Sequence, residues 1–459
     1  MICIIMWMRL LRWFLQTKID MSVINKLFLP LLIVFILGCS KNKNYGDAEC
    51  NNTKIITNTH QVEGYTDKVS YSPGETVEFK IHSKTDKVDI KIYHYGASTN
   101  LIHSALGVNS TKQDYYCRSY SFGCNWETTY QFVVPQSAVS GIYSAHVSND
   151  SNELDYITFV VKKNNSINNN ILVMASTNTW QAYNKWVGQS FYNYDLSEET
   201  HNSAIVSFHR PNIADKPIGN SGHLVSAELH LHRWLENNSY GFDVAAEIDL
   251  HQNINFLDDY KVVILNVHPE YWTLEMYNHL IYFLNDGGKL MYLGGNGIYW
   301  RVALKHDRIE VIKTGGNHSY TEGKGGKFRD LGMPESRHLG VQYTNAGIHT
   351  YAPYKVLNST HWIFDSTGVT NGQLIGETGL NNGKACGGET DKISSSSPSD
   401  MWVLAVGTNP EDGGGYMVYY DKPNGSKVFS VGSMTYTGSL STDTVIHRIT
   451  KNVLDEFLK

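Results

Sequence analysis

The chain of 459 residues holds six cysteines, and none of them forms a CxxC pair or a Cys/His spacing of the zinc-finger kind. A thiolate metal site is therefore disfavoured. No GxSxG elbow follows an apolar run, which weakens a serine or cysteine hydrolase. No HExxH is present and no GxGxxG follows a candidate strand, so zincin and dinucleotide-binding readings weaken too. Charge is sparse, at 18% of residues with a net of −6, and no basic stripe appears. Nucleic acid is not an expected partner. Internal repeats are absent. The apolar run near the N-terminus, Leu27 to Leu37, is too short to span a bilayer comfortably.

What is present is a globular balance, 41% hydrophobic, in a chain long enough for two folded units. The first 39 residues read as an export segment. Lys26 precedes the apolar run, which ends at Ile36-Leu-Gly-Cys39, a lipobox-like sequence of bacterial lipoproteins. Cys39 is the expected lipidation site and mature N-terminus. That places the protein in the bacterial cell envelope, lipid-anchored and either periplasmic or surface-exposed. The bland alternative is a single transmembrane anchor, and either Met1 or Met21 can be the start. Export implies an oxidising compartment, so Cys117 and Cys124, which flank Ser-Tyr-Ser-Phe-Gly in a loop-like stretch, are expected to pair. Cys50 and Cys386 are left without an assigned partner.

Residues 40–58, polar and rich in Asn and Lys, suit a tether. From 59 to 162 apolar and polar residues alternate, as in Thr76-Val-Glu-Phe-Lys-Ile81 and Val88-Asp-Ile-Lys-Ile-Tyr93, with Ser-Pro-Gly-Glu and Ser-Gly turns between. The pattern predicts an immunoglobulin-like β-sandwich. An Asn/Ser linker near 163–170 marks a boundary between two separately folding halves. From 170 to 459 the period changes. Buried-strand runs at Ile171–Met174, Tyr260–Val267 and Lys289–Leu293 alternate with helical spacing at Leu224–Asn237 and Thr273–Asn285. That order predicts a doubly wound α/β sheet.

Ligands in such a sheet lie beyond the carboxyl ends of its strands. The three candidate strands are followed by a stretch with Tyr183 and Tyr192, by His268-Pro-Glu270, and by Gly294-Gly-Asn296. In extended backbone His268 and Glu270 point to one side, so both can face one site. Each group also has a bland reading: Glu270 as a helix N-terminal acid, the tyrosines as buried loop residues, and Gly294-Gly-Asn296 as a tight turn.

Three segments carry a resemblance: TNTWQAYNKWVGQSFY (177–192), HRWLENNSYGFDVAAEIDLH (232–251) and HPEYWTLEMYNHLIYFLNDGGKLMYLGGNGIYW (268–300). Together they resemble the C-terminal domain of the N,N-dimethylformamidase large (beta) subunit, with a match over roughly 170–459. The resemblance implies a glutamine-amidotransferase-like α/β fold without that fold's cysteine nucleophile. It also implies one mononuclear ferric ion, Fe(III), held by Tyr183, Tyr192 and Glu270. His268, Asn296 and Glu389 fall on the accompanying catalytic positions, Glu389 through the looser GGETDK stretch. In that reading the ion polarises an amide carbonyl, His268 or Glu389 moves a proton, and Asn296 donates to the developing oxyanion.

The expected function is metal-dependent hydrolysis of non-peptide amide C–N bonds in small or surface-borne substrates, glycan-like ones included. The rival is an exported ligand- or carbohydrate-binding surface lipoprotein without catalysis. Assembly as a homo-oligomer stays open.

Overall fold

The computed structural model describes residues 55–164, 168–188, 190–192, 203–219 and 222–459. Cys39, Cys50 and the expected export segment lie outside them, as does the tether up to residue 54. Among the described residues no helix is long and apolar enough to cross a membrane.

Alternation builds the first layers. In β1 (Val62–Thr66), β2 (Thr76–Ser83), β3 (Lys87–Tyr95), β5 (Tyr130–Val133), β6 (Gly141–Asn149) and β7 (Leu154–Val161), apolar side chains turn to a shared interior, while β4 (Thr99–Asn109) leaves Leu101 and Leu106 exposed. Val77, Phe79 and Ile81 of β2 meet Val88, Ile90 and Ile92 of β3 there. The order β1-β2-β5 forms one sheet. The other runs from Ser70–Tyr71 through β7, β6 and β3 to β4.

The next part begins with β8 (Ile171–Ala175), whose residues are all buried. There follow α1 (Thr177–Tyr183), β9 (Ser203–Ser207), α2 (Val225–Asn237), β10 (Asp243–Ala246), α3 (Glu247–Gln252), β11 (Val262–Val267), α4 (Leu274–Asn285) and β12 (Lys289–Gly294). Alternate residues of these strands face opposite layers. Ile171, Val173, Val262 and Ile264 meet α2, while Leu172, Met174, Val263 and Leu265 meet α4. Each such fully buried Val, Leu or Ile contributes about 1.5–3 kcal/mol of burial free energy. The Thr273 side chain caps α4 by accepting from Met276 N.

The remainder is mainly strand: β13 (Trp300–Lys305), β14 (Arg308–Ile312), β15 (Tyr354–Val356), β16 (Trp402–Gly407), β17 (Tyr416–Asp421) and β18 (Lys427–Ser430), closed by α5 (Thr444–Leu458). The large sheet has nine strands in the order β10-β8-β11-β12-β18-β17-β16-β15 followed by Leu374–Ile375. The segment from β10 to β18 is parallel, and the rest is an antiparallel meander. A further sheet joins β9, β14, β13 and Tyr271–Trp272.

This corrects the expected fold class. Strand outweighs helix, 35% to 19%, and is spread over many sheets, so the chain is predominantly β. The doubly wound, glutamine-amidotransferase-like frame is not its architecture. The physical reason lies after residue 300, where short Gly-punctuated strands pair antiparallel without crossover helices.

The expected Cys117–Cys124 disulfide is also corrected. Cys124 carries a free, buried thiol, and Cys117 is disulfide-bonded to another partner. The turn Ser119–Phe122 separates the two, and Cys124 N donates to His209 O at 2.8 Å. Cys124 packs instead with Tyr65, Trp126 and Trp186. Cys386 is likewise a buried free thiol.

Candidate metal and catalytic site

Two strand ends and one short helix build the site. β11 ends at Val267, whose φ of 56° is strained for a β-branched residue and turns the chain off the sheet. His268 and Glu270 follow, both essentially buried. α1 holds their backbone: Thr179 Oγ1 donates to His268 O at 2.8 Å and accepts from Glu270 N at 3.2 Å. The same helix ends in Tyr183.

Three sequence-predicted oxygen donors converge. The Tyr192 hydroxyl lies 2.8 and 2.9 Å from the two carboxylate oxygens of Glu270, and the Tyr183 hydroxyl is 3.5 Å from Oε2. The two phenol rings stack with centroids 4.3 Å apart. Tyr271 gives its hydroxyl to Tyr192 from the neighbouring position. Lys313 Nζ lies 4.2 Å from the Tyr192 ring centroid and donates to Phe191 O.

The predicted catalytic residues adjoin this set. His268 Nε2 is 3.3 Å from Glu270 Oε2 and 3.1 Å from Glu389 Oε2, so the imidazole bridges two carboxylates. Asn296 Nδ2 donates to Glu389 Oε2 at 2.7 Å. Asn296 has φ 52°, and its backbone N donates to Asp391 Oδ1 at 2.8 Å. Asp391 is held in turn by the Tyr292 hydroxyl at 2.6 Å. Gly295 is required here, since a Cβ would lie 2.3 Å from Glu389 O.

Burial dominates the electrostatics. It pushes the Glu270 carboxyl up to about 7, with Glu389 adding to the rise and His268 and Lys313 opposing it. Burial pulls His268 down, but Glu270 and Glu389 outweigh it and leave the imidazole above its ordinary value. Glu389 is held low despite burial, through His268 and Asn296. Burial, then Glu270, drives the Tyr192 phenol well up. His223, edge-on to Tyr183 at 4.5 Å, is pulled down to about 4 by burial and then by His268.

Two phenol oxygens and a carboxylate form a hard, all-oxygen donor set of the kind a trivalent cation prefers. The three residues therefore fit the ferric ion that the resemblance implies. Among the described residues no group of three or more His, Cys, Asp and Glu is arranged to hold a metal. The phenols are what distinguish this set.

All six predicted site residues meet in one place. Sequence reasoning missed Thr179, His223, Tyr271, Lys313 and Asp391. Tyr271 and Asp391 stood one and two positions from named residues. His223 and Lys313 come from segments where no motif drew notice.

The family described as N,N-dimethylformamidase beta subunit-like, C-terminal, matches residues 89–451. The match begins inside β3 of the sandwich, well before 170. The N,N-dimethylformamidase beta subunits of Alcaligenes sp and Paracoccus aminophilus are 29% and 28% identical over 419 residues, covering 73% of this chain and 55% of each relative. The chain thus spans about half the length of the curated relatives it matches. Among solved structures, the mmIFT52 N-terminal domain superposes with a TM-score of 0.28 at 13% identity, covering 49% of this chain and 87% of that one. That is too loose to argue from.

Proposed function

Because the chain belongs to the N,N-dimethylformamidase beta subunit-like C-terminal family, we propose that it hydrolyses the C–N bond of a small non-peptide amide at a ferric site held by Tyr183, Tyr192 and Glu270. The observation that carries this reading is the convergence of the Tyr192 and Tyr183 hydroxyls on Glu270, beside a histidine that bridges two carboxylates. A bound ferric ion would supply Lewis-acid polarisation of the amide carbonyl.

The chain's own residues handle the protons. Water adds its oxygen to the carbonyl carbon and gives a proton to neutral His268, whose imidazolium the Glu389 carboxylate, 3.1 Å away, stabilises until that proton passes to the nitrogen. The C–N bond then breaks as the nitrogen takes a proton from His268, leaving a carboxylic acid and an amine. Asn296 has one N–H committed to Glu389, so it orients that carboxylate. Burial of Glu270 and His268 keeps bulk water from these transfers.

The test is hydrolysis of N,N-dimethylformamide and a panel of small amides by iron-loaded protein, followed by amine release. Release that needs iron supports the reading. Full iron occupancy without release of amine from any amide contradicts it.

The envelope location and the Cys39 anchor are also proposed, on the lipobox-like sequence and on a disulfide at Cys117 that suits an oxidising compartment. Cys39→Ala should leave unprocessed precursor. An unchanged mature mass would rule lipidation out.

A further inference from the structure

His230, Arg233 and Asn237 recur at helical spacing along α2 and share one of its faces. They line a cavity of about 730 Å³ that Leu380, Leu440 and the N-terminal end of α5 close from the other side. Its size falls within the range of small-molecule sites, roughly 300–1,000 Å³. No residue of the metal set borders it. His230 and Arg233 also border an adjoining cavity of about 490 Å³, which reaches Tyr95 of the sandwich.

Arg233 sets the chemistry. It is half-buried, and burial lowers its guanidinium from the ordinary value against the influence of Tyr95, yet an arginine stays charged. Arg210, Arg301 and Arg329 commit their N–H groups to protein acceptors: Gln181 and Asn184, Glu322 and Lys324, Tyr343 and Glu335. Arg233 donates to no described residue and has no carboxylate beside it. A partly desolvated guanidinium gains from a planar acceptor that takes two of its N–H groups at once.

The rest of the wall selects an anion of single charge. Burial, then Arg233, pulls His230 down to about 4, and burial, then Arg448, lowers His447. Both rings are therefore neutral near pH 7, and Arg233 is the one cation on the wall. His447 Nδ1 accepts from Trp234 Nε1 at 3.0 Å, so the neutral ring carries its proton on Nε2, a donor that bonds to no described residue. Asp443 also lines the cavity, but its carboxylate is taken up by backbone. Oδ1 accepts from Val445 N and Ile446 N, both at 3.0 Å, and Oδ2 accepts from Gly376 N at 2.8 Å. The exposed Ser441 and Thr442 add hydroxyl groups at the rim. One guanidinium matches a carboxylate in charge and shape, whereas a phosphate dianion would keep an uncompensated charge.

We propose that this cavity is a second binding site, taking a small hydroxylated monocarboxylate of sugar-acid size whose carboxylate is held by Arg233 and whose hydroxyls meet His447, Ser441 and Thr442. The site is independent of the amide-hydrolysis reading, and its test measures binding without turnover.

The probes are glucuronate, glucose and inorganic phosphate, titrated calorimetrically into the whole protein at neutral pH. Glucuronate should bind at one per chain and at least about tenfold more tightly than either of the others, the size of one charge-assisted hydrogen bond. Arg233→Gln should lose at least about tenfold in glucuronate affinity while its circular dichroism spectrum stays native. Ser441→Trp, at the exposed rim, should block binding by filling space, so the idea stands or falls even if the Arg233 variant fails to fold. Equal binding of glucose and glucuronate, phosphate binding as tight as glucuronate, undiminished binding by Arg233→Gln or Ser441→Trp, or no saturable binding of any probe would overturn it.

Discussion

The Tyr192 hydroxyl reaches both carboxylate oxygens of Glu270, at 2.8 and 2.9 Å. A tyrosine buried for packing alone needs one acceptor. Here Tyr183 stacks on its ring and Tyr271 adds a third hydroxyl. Tyr183→Phe and Tyr192→Phe keep the rings and delete the donor oxygens. Each should lose bound iron and activity while the circular dichroism spectrum stays native. Variants that retain stoichiometric iron would count against ligation.

His268 is assigned to proton transfer. His268→Ala should keep the iron and lower turnover by about 10²–10⁴-fold, the usual worth of a positioned acid or base. Loss of metal in this variant, measured by elemental analysis, would move His268 into the ligand set.

Thr179 ties α1 to the turn that carries both His268 and Glu270. Thr179→Val preserves shape and removes both hydrogen bonds. Stability should fall by about 0.5–1.5 kcal/mol, since the bridging hydroxyl is lost while Glu270 N still donates to His268 O at 2.9 Å. Chemical denaturation measures this, and a neutral result would show that the turn holds itself.

Glu228 is fully buried, and its carboxyl accepts from Trp180 Nε1 at 2.7 Å. Burial raises it from 4.5 to about 8, against the hydrogen bonds of Trp180 and Ser176. A folded-state value above the unfolded one favours the protonated form. The associated stability is therefore full below 4.5 and is lost as pH rises toward 8. Glu228→Gln removes that titration. Its stability relative to wild type should improve across this window by up to about 1.4 kcal/mol per pH unit. A pH-independent difference between the two proteins would contradict the assignment.

Legibility followed contiguity. His268, Glu270 and Asn296 stand just after apolar runs that are strands, and Tyr183 ends the short helix after a third, so position relative to those runs points to them. Glu389 and Asp391 sit in a Gly-rich stretch with no period, and only GGETDK marked it. His223 and Lys313 reach the site through tertiary packing that no local pattern encodes. The fold class was misjudged for a related reason. The runs at 171–175, 262–267 and 289–294 are unbroken apolar stretches, the pattern of strands buried on both faces, and they point to parallel pairing. Strands such as Tyr354–Val356 and Lys427–Ser430 are only three and four residues long and add antiparallel pairing without a clear signal. Cys117 and Cys124 were paired on sequence proximity, which does not fix how their side chains are directed.

The most direct test of the ferric site is iron analysis together with the visible absorption spectrum of the purified, iron-reconstituted protein. Tyrosinate bound to ferric iron absorbs in the visible, so a coloured protein with about one iron per chain is expected, its band abolished in Tyr192→Phe and Glu270→Ala. Wild-type protein that stays colourless and cannot be loaded with iron would contradict the assignment of Tyr183, Tyr192 and Glu270 as ligands.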